Sequence, residues 1–257
     1  MKSHSKFIVL YAAFVLLTLL AACGGDPLPV TRFVILTGAQ EVPAITPTAA
    51  YGSGSVEVDT ENKTISGSIT TVGIAGTTAH IYSGVVGASG VAVITLVNAA
   101  SGVWNIPAGT VLTQEQYDAL FANGLYVNVH STVNPNGEIR GQITKSQTLT
   151  GAQQVPPGTT LATGIGTLAV NPTSRAIAGG IITNGISGTA SHLHNGVVGA
   201  SGVSIITLSA VQSGVWTIPA SGVLNLTQYT DYLAGNLYFN VHSATYPDGE
   251  IRGQIEP

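Results

Sequence analysis

The sequence predicts an all-β protein made of two tandem antiparallel β-sandwich or barrel domains that follow an N-terminal lipoprotein signal peptide. Three observations lead to this prediction. The hexapeptide Gly-Glu-Ile-Arg-Gly-Gln occurs at 137–142 and again at 249–254, so the copies start 112 residues apart. Short β-branched runs alternate with turn residues, among them 32 Gly and 12 Pro, as expected for many short strands. An apolar run near the N-terminus ends at the only cysteine, Cys23.

The repeat extends well beyond the hexapeptide. Residues 84–91 return as 196–203, and Trp104 returns as Trp216. A unit of this length is too long for a solenoid repeat that depends on its neighbours, so each copy is expected to own a hydrophobic core. We therefore divide the chain into a signal peptide at 1–22, a tether at 23–31, a first domain at 32–144 and a second domain at 145–257.

The first residues are typical of an export signal. Lys2 and Lys6 precede an apolar run from Phe7 to Leu20, which is shorter than the roughly 20 residues that a transmembrane helix needs. The run closes with Leu-Ala-Ala-Cys, which resembles the bacterial lipobox, where the cysteine is lipidated. We predict lipid attachment at Cys23 and an exported protein anchored in the cell-envelope membrane, the outer membrane if the organism has one. An ordinary signal peptide with an incidental cysteine is the alternative.

Charge and composition narrow the range of partners. Charged residues make up 8% of the chain, where about 25% is usual. Without the signal peptide, six basic residues remain against 12 acidic ones, and no cluster of Lys and Arg is present that could contact phosphates. We therefore expect no nucleic acid partner. The expected partners are membrane lipid, through acylated Cys23, and an unidentified protein or polysaccharide ligand.

The local patterns predict the elements of each copy. Runs such as 54–58, 64–70, 91–97 and 125–130 are rich in Val, Ile and Thr and are predicted as strands. One short helix is predicted in each copy, at 113–121 and at 226–233. In the first helix Thr113 can cap the helix and Gln116 can complete the capping box. The two tryptophans are predicted as core residues because they alternate with Val and Ile, and sugar stacking is the alternative.

The hexapeptide is predicted to be the second strand of a hairpin. The turn 134–137 has Pro in its second position and Gly in its fourth, which suits a type I turn followed by a glycine bulge. This turn would place Arg140 opposite Thr132 and Gln142 opposite His130. All four side chains would then lie on one face of the sheet.

A set of motifs in a fixed order carries a family resemblance. The first copy has Gly38–Pro43, Ala79–Tyr82, Tyr126–His130 and the hexapeptide, and the second copy adds His192-Leu-His194. Together these motifs resemble the chordin-type domain, CHRD. The resemblance implies a secreted sandwich domain. In animals the domain occurs in chordin, which binds bone morphogenetic proteins, while bacterial members are mostly exported proteins with no established activity. Fold and location are therefore implied more firmly than function.

Three histidines of the second copy are candidate metal ligands. His192 and His194 are two residues apart on a predicted strand and so point the same way, and His242 could supply a third imidazole to copper or zinc. The pair is similar to the His-x-His strand of copper-zinc superoxide dismutase. The alternative is that these rings bond to neighbouring backbone and side chains, in which case no cofactor is expected.

The first copy differs at one position of this set, because Tyr82 stands where His194 stands in the second copy. The paired Glu and Arg of each hexapeptide are predicted to form structural ion pairs, since an adjacent Arg keeps a carboxylate ionised and makes it a poor general acid. Each Arg could also bond carbonyls of the loop that follows the hexapeptide. The residues interpreted as a structural signature are His80, His130, Glu138, Arg140, Gln142, Glu250, Arg252 and Gln254.

The sequence contains no complete set of catalytic motifs. The sequence shows no nucleophile elbow and no phosphate-binding loop, so we expect no catalytic residues and no enzyme activity. The leading hypothesis is a membrane-anchored, non-enzymatic binding or structural module. The alternative hypothesis is a copper- or zinc-binding second domain with redox activity.

Overall fold

The computed structural model describes residues 29–257. The predicted signal peptide and Cys23 lie outside these residues. The strands of the first domain are β1 (Val30–Thr37), β2 (Tyr51–Val58), β3 (Thr64–Val72), β4 (Gly76–Ser83), β5 (Val91–Thr95), β6 (Val97–Ala100), β7 (Val103–Asn105), β8 (Thr110–Val111), β9 (Leu125–Ser131) and β10 (Ile139–Gln142). Those of the second domain are β11 (Ser146–Thr150), β12 (Thr163–Val170), β13 (Ile177–Asn184), β14 (Gly188–Asn195), β15 (Val203–Thr207), β16 (Ser209–Gln212), β17 (Val215–Thr217), β18 (Leu237–Ser243) and β19 (Ile251–Gln254).

Each domain is built on one antiparallel sheet, which confirms the all-β prediction. The strand order of the first sheet is β5-β4-β9-β10-β1-β2-β3-β7-β6, with β8 paired to β3. The second sheet repeats it as β15-β14-β18-β19-β11-β12-β13-β17-β16. Helices α1 (Gln114–Phe121) and α2 (Leu226–Leu233) precede β9 and β18. Neither of these helices, nor any other in the described range, has the length and apolar character needed to cross a membrane.

Both sheets curl until their two end strands almost meet. In the first domain the end strands β5 and β6 are separated by a single residue, Leu96, which is buried. Leu208 has the same place between β15 and β16 and is also buried. One stretch of chain therefore supplies both ends of each sheet, and its leucine points into the core. The result is a near-barrel, which hides most strand edges from solvent.

Each domain has its own hydrophobic core, as the repeat length predicted. One cluster is made only of residues between Val34 and Ile143, and the other only of residues between Leu149 and Ile255. Trp104 and Trp216 belong to these clusters and are 2% and 6% exposed. Their predicted core role is confirmed, and stacking of sugars on their rings is excluded by this burial.

The two helices begin where the sequence predicts. The Thr113 hydroxyl accepts a hydrogen bond from the Gln116 backbone N–H at 3.2 Å, and the Gln116 side chain accepts from the Thr113 N–H at 3.0 Å. Asn225 and Gln228 form the same capping box at α2, at 2.9 Å in both directions. Each box satisfies two backbone groups at the start of a short helix, which helps to fix its first turn.

The predicted register of the hexapeptide hairpin is wrong. Arg140 lies opposite Asn128 rather than Thr132, and Gln142 lies opposite Tyr126 rather than His130. The turn itself is present, because the Gly137 N–H donates to the Asn134 carbonyl at 3.1 Å. The Ser131 N–H also donates to that carbonyl, at 3.2 Å, so the connection is a longer loop than a minimal hairpin turn. The shift along β9 is an even number of residues, so the side chains keep their predicted face.

The two domains contact each other directly. The Asn171 side chain donates to the Val86 carbonyl at 2.9 Å, and the hydroxyls of Thr37 and Thr217 lie 2.8 Å apart. β13 of the second domain contacts β1 and β10 of the first. Val86 is 5% exposed, whereas its counterpart in the second domain, Val198, is 76% exposed. The joint therefore buries a surface of the first domain whose counterpart in the second domain faces solvent.

Candidate metal centre

Strands β14 and β18 bring the three candidate histidines of the second domain together. His192 and His194 are two residues apart on β14, and His242 lies on the neighbouring β18, opposite Ala190. Side chains two apart on a strand share a face, so all three imidazoles extend from the same side of the sheet. One nitrogen from each ring lies within 4.8 Å of the others. This spacing matches what a single transition-metal ion needs from three imidazole ligands.

Backbone carbonyls fix the orientation of two of the rings. His194 Nδ1 lies 3.0 Å from the Gly202 carbonyl, and His242 Nδ1 lies 2.9 Å from the Pro247 carbonyl. A carbonyl can only accept, so each Nδ1 carries the hydrogen and each Nε2 has a free lone pair. Ligating histidines in metal sites are commonly oriented by such a bond from the other ring nitrogen.

The free nitrogens have different surroundings. His194 Nε2 is buried and has no hydrogen-bond partner within the described residues. His242 Nε2 lies 3.0 Å from His192 Nδ1, which must donate because His242 Nε2 is an acceptor. An unpartnered buried nitrogen is costly in a folded protein. A metal ion bound here would use the lone pair of His194 and replace the hydrogen bond between His192 and His242.

The electrostatics favour the neutral form of His192 and His194. Burial lowers the pKa of His192 below its ordinary value, and the neighbouring His242 lowers it further. Burial also lowers the pKa of His194, with smaller contributions in the same direction from His192, His242 and Arg252, against the hydrogen bond to Gly202. A neutral imidazole is the form that binds a metal ion.

His194 forms a stack of three side chains with Tyr238 and Arg252. The His194 ring stacks on Tyr238 with 4.9 Å between centroids, and the Arg252 guanidinium lies 3.6 Å from the centre of the Tyr238 ring. The Tyr238 hydroxyl accepts from the Gly202 N–H at 3.0 Å. Tyr238 therefore touches both the ring of His194 and the loop whose carbonyl orients it. Sequence reasoning missed Tyr238 and Gly202, whose only signal was their repetition in the first copy as Tyr126 and Gly90.

The signature residues of the hexapeptide hold that same loop. Arg252 donates to the carbonyls of Val197 and Ala200 at 3.0 and 2.9 Å. The Gln254 amide donates to Gly196 and Gly235 at 3.0 and 2.8 Å. In the first domain Arg140 and Gln142 bond the equivalent carbonyls of residues 84, 85 and 88. The repeated hexapeptide is thus a clamp on the loop between β14 and β15, or between β4 and β5.

The predicted ion pairs within the hexapeptides are wrong. Each guanidinium donates to loop carbonyls, and also to the side-chain oxygen of the following Gln, at 3.4 Å for Arg140 and 2.9 Å for Arg252. Glu138 instead accepts a hydrogen bond from the Ser131 hydroxyl, and Glu250 accepts one from the Thr160 hydroxyl at 2.7 Å. Each guanidinium stacks on a tyrosine ring, Tyr126 or Tyr238, and is thereby directed away from the adjacent glutamate and towards the loop carbonyls.

The first domain has the same scaffold but a different set of side chains. The Tyr82 hydroxyl lies 3.0 Å from His130 Nε2, and His130 Nδ1 lies 3.0 Å from the Pro135 carbonyl. His130 Nε2 is therefore the acceptor and Tyr82 is the donor. Tyr82 stacks on Tyr126 at 5.1 Å, as His194 does on Tyr238. His80 Nδ1 is buried without a partner in the described range. His80 and His130 therefore lie close together in the first domain, but His130 Nε2 accepts a hydrogen bond from the Tyr82 hydroxyl.

The family model for the CHRD domain matches residues 33–143 and 145–255, which is nearly all of the described chain. The chain belongs to the CHRD domain family. Comparison with curated proteins and with solved structures found no match. The two tandem CHRD domains support a binding or structural module. The cluster described above lies in the second CHRD domain, and the first carries its tyrosine-containing counterpart.

Proposed function

We propose that this protein is an exported, lipid-anchored and non-enzymatic binding module whose second CHRD domain binds one copper or zinc ion through His192, His194 and His242. The observation that carries the proposal is the convergence of three imidazole nitrogens within 4.8 Å. Two further features support it, namely the carbonyls that orient two of the rings and the buried His194 Nε2, which has no partner in the part of the chain that the structure describes. Burial of an unsatisfied nitrogen is readily understood if that nitrogen is a ligand.

The ligand set favours particular metals. Three neutral imidazoles suit copper and zinc, whereas magnesium and calcium prefer oxygen ligands. Among divalent ions, affinity for nitrogen ligands rises to Cu²⁺ and falls again at Zn²⁺, so we propose that Cu²⁺ binds more tightly. Three protein ligands leave a fourth position for water or another small ligand.

The anchoring part of the proposal rests on the sequence alone. The lipobox-like Leu20–Cys23 and the lipid expected on Cys23 would hold both domains at the envelope membrane. The low content of charged side chains supports an exported protein. A protein or polysaccharide ligand elsewhere on the module stays part of the proposal.

Metal titration of the purified mature protein tests the proposal. After removal of adventitious metal, calorimetric titration with Cu²⁺ and with Zn²⁺ is expected to show one site per chain. His194→Tyr copies the side chain of the first domain and can keep the stack on Tyr238, so it should fold and lose the site. The matched control is His80→Ala, which removes an imidazole from the first domain and should leave the stoichiometry at one. Absence of binding by the unmodified protein, or equal binding by His194→Tyr, would refute the metal proposal.

A further inference from the structure

Glu41 is a buried carboxyl group with an unusual set of neighbours. It follows the 3-10 turn Gly38–Gln40 of the first domain and is 8% exposed. Its Oε2 accepts a hydrogen bond from the Asn128 side-chain nitrogen at 3.3 Å. Its Oε1 is buried and has no partner in the described part of the chain, and the same is true of Asn128 Oδ1. Two buried acceptor oxygens of one contacting pair are therefore left without a donor.

In the second domain an amide side chain occupies the position of this carboxyl group. Gln154 has the place of Glu41, and Asn240 has the place of Asn128. The Gln154 side-chain nitrogen donates to Asn240 Oδ1 at 2.7 Å. An amide supplies this hydrogen permanently, whereas a carboxyl group supplies one only when it is protonated.

We propose that Glu41 is protonated in the folded first domain, that it donates its hydrogen to Asn128 Oδ1, and that this pair makes the first domain and its joint with the second domain sensitive to pH. One hydrogen would satisfy the Asn128 oxygen that is now without a donor, and neutralisation would remove the cost of burying a carboxylate. This inference does not depend on the metal site, which lies in the other domain.

The electrostatic surroundings agree with this assignment. Burial raises the pKa of Glu41 to about 7, against the opposing effects of Arg140, Asn128 and the Val42 N–H. Burial is the largest cause of the raised pKa of Tyr82, and the neighbouring Tyr126 and Glu41 raise it further. Arg140 is the charged group that would favour ionisation, but its N–H groups are bonded to the loop carbonyls and to Gln142.

The nearby hairpin contains three more titratable groups, and all three are bonded elsewhere. Glu138 accepts from the Ser131 hydroxyl, and His130 is bonded to Tyr82 and to the Pro135 carbonyl. The Tyr126 hydroxyl accepts from the Gly90 N–H at 3.0 Å. None of the three is a hydrogen-bond partner of Glu41, whose side chain is bonded to Asn128. The proton is therefore assigned to the Glu41–Asn128 contact.

Glu41 lies next to the contact between the two domains. The preceding turn lines a cleft of about 650 Å³ between the domains, with Gly38 and Ala39 on one side and Thr217 and Pro219 on the other. Ionisation would remove the hydrogen bond donated to Asn128 Oδ1 and leave a negative charge buried beside that oxygen, which destabilises the packing of this segment against β9. The turn would then be less firmly held against the second domain.

The direction of the pH effect follows from the raised pKa. The folded state keeps the proton up to about pH 7, whereas the unfolded chain loses it near the ordinary value of 4.5. The stabilising contribution is therefore fully present below pH 4.5 and is lost as the pH rises through about 7. Deprotonation at higher pH should destabilise the first domain.

The test compares Glu41→Gln with the unmodified protein. Chemical unfolding at pH 5 and pH 8 is expected to show a loss of stability for the unmodified protein and a smaller loss for Glu41→Gln, since an amide does not titrate. Gln154→Glu is the converse variant and should create the same loss in the second domain. An equal pH dependence of the unmodified protein and Glu41→Gln would overturn the proposal.

A second measurement does not need a variant to fold. Carbon-13 NMR of the Glu41 carboxyl group in the unmodified full chain should show that this group titrates near pH 7. Titration of the Glu41 carboxyl group near 4.5 would also overturn the proposal.

Discussion

The Tyr82 hydroxyl donates a hydrogen bond to His130 Nε2 over 3.0 Å in the first domain. In the second domain the equivalent nitrogen belongs to His242 and meets His192 instead. The backbone, the carbonyl that orients the ring and the aromatic stack are retained in both domains. A single difference, Tyr82 in the first domain against His194 in the second, therefore distinguishes two imidazoles with a bound tyrosine hydroxyl from a cluster of three imidazoles.

Tyr82→His should create a second metal site in the first domain. The variant adds a third imidazole beside His80 and His130 and removes the phenol that caps His130. Calorimetric titration with Cu²⁺ is expected to rise from one site per chain towards two. Tyr82→Phe is the control, because it removes the hydroxyl without adding a ligand and should stay at one. Equal stoichiometry for the two variants would show that the tyrosine does not decide metal binding.

Arg252→Lys should loosen the loop that orients His194. Lysine cannot keep both the ring stack on Tyr238 and the three hydrogen bonds of the guanidinium. We expect a loss of about 2 kcal/mol in unfolding free energy, the order found for hydrogen bonds to charged groups, and weaker metal binding. Urea unfolding and metal titration measure the two effects.

Arg140→Lys provides the matched control for that prediction, since it changes the same clamp in the first domain. It should lower stability to a similar extent and leave metal affinity unchanged. Equal losses of metal affinity in the two variants would contradict a specific link between the Arg252 clamp and His194.

Separation of the domains should affect them unequally. Ile35 on β1 is fully buried, whereas its counterpart on β11, Thr148, faces solvent. We expect a fragment of residues 145–257 to melt cooperatively, close to its melting temperature in the intact chain. A fragment of residues 32–144 should also melt cooperatively but several degrees lower, because Ile35 and Val86 lose their cover.

Calorimetry of the two fragments and the intact chain measures this difference. Ile35→Thr in the first fragment is the control and should reduce aggregation, since it copies the solvent-exposed residue of the second domain. Failure of both fragments to melt cooperatively would show that the copies are not independent folding units.

Cys23→Ala should release the protein from the membrane. If the cysteine carries the lipid, its loss removes the attachment point and the protein should move to the soluble fraction of an envelope preparation. Fractionation followed by detection of the protein measures this. Ser3→Ala is the control, because it changes the leader away from the lipobox and should leave the distribution unchanged. Membrane retention of Cys23→Ala would disprove lipid anchoring at this residue.

The sequence was sufficient for the elements with local causes. The helix start at Thr113 follows from a side chain that bonds a backbone group three residues away, and this contact was predicted from spacing alone. The same contact at Asn225 was found only in the structure, although the helix at 226–233 was predicted. Successive side chains of a strand point to opposite faces, so the sequence of β9 and β10 also predicted which side chains share a face. The pairing across that hairpin could not be predicted, because its loop length depends on the bonds that Ser131 makes with residues further along the loop.

The sequence by itself determined that a CHRD-type unit occurs twice, that each copy is a β domain with its own core, and that three histidines of the second copy could share one face. Repetition and alternation are properties of the chain, so they are visible without coordinates. Only the tertiary structure decided what each polar side chain meets. It directed Arg140 and Arg252 to loop carbonyls rather than to the adjacent glutamates. It also left His194 Nε2 and Glu41 Oε1 buried without partners among residues 29–257, because burial and hydrogen bonding depend on strands that are distant in sequence and adjacent only in the fold.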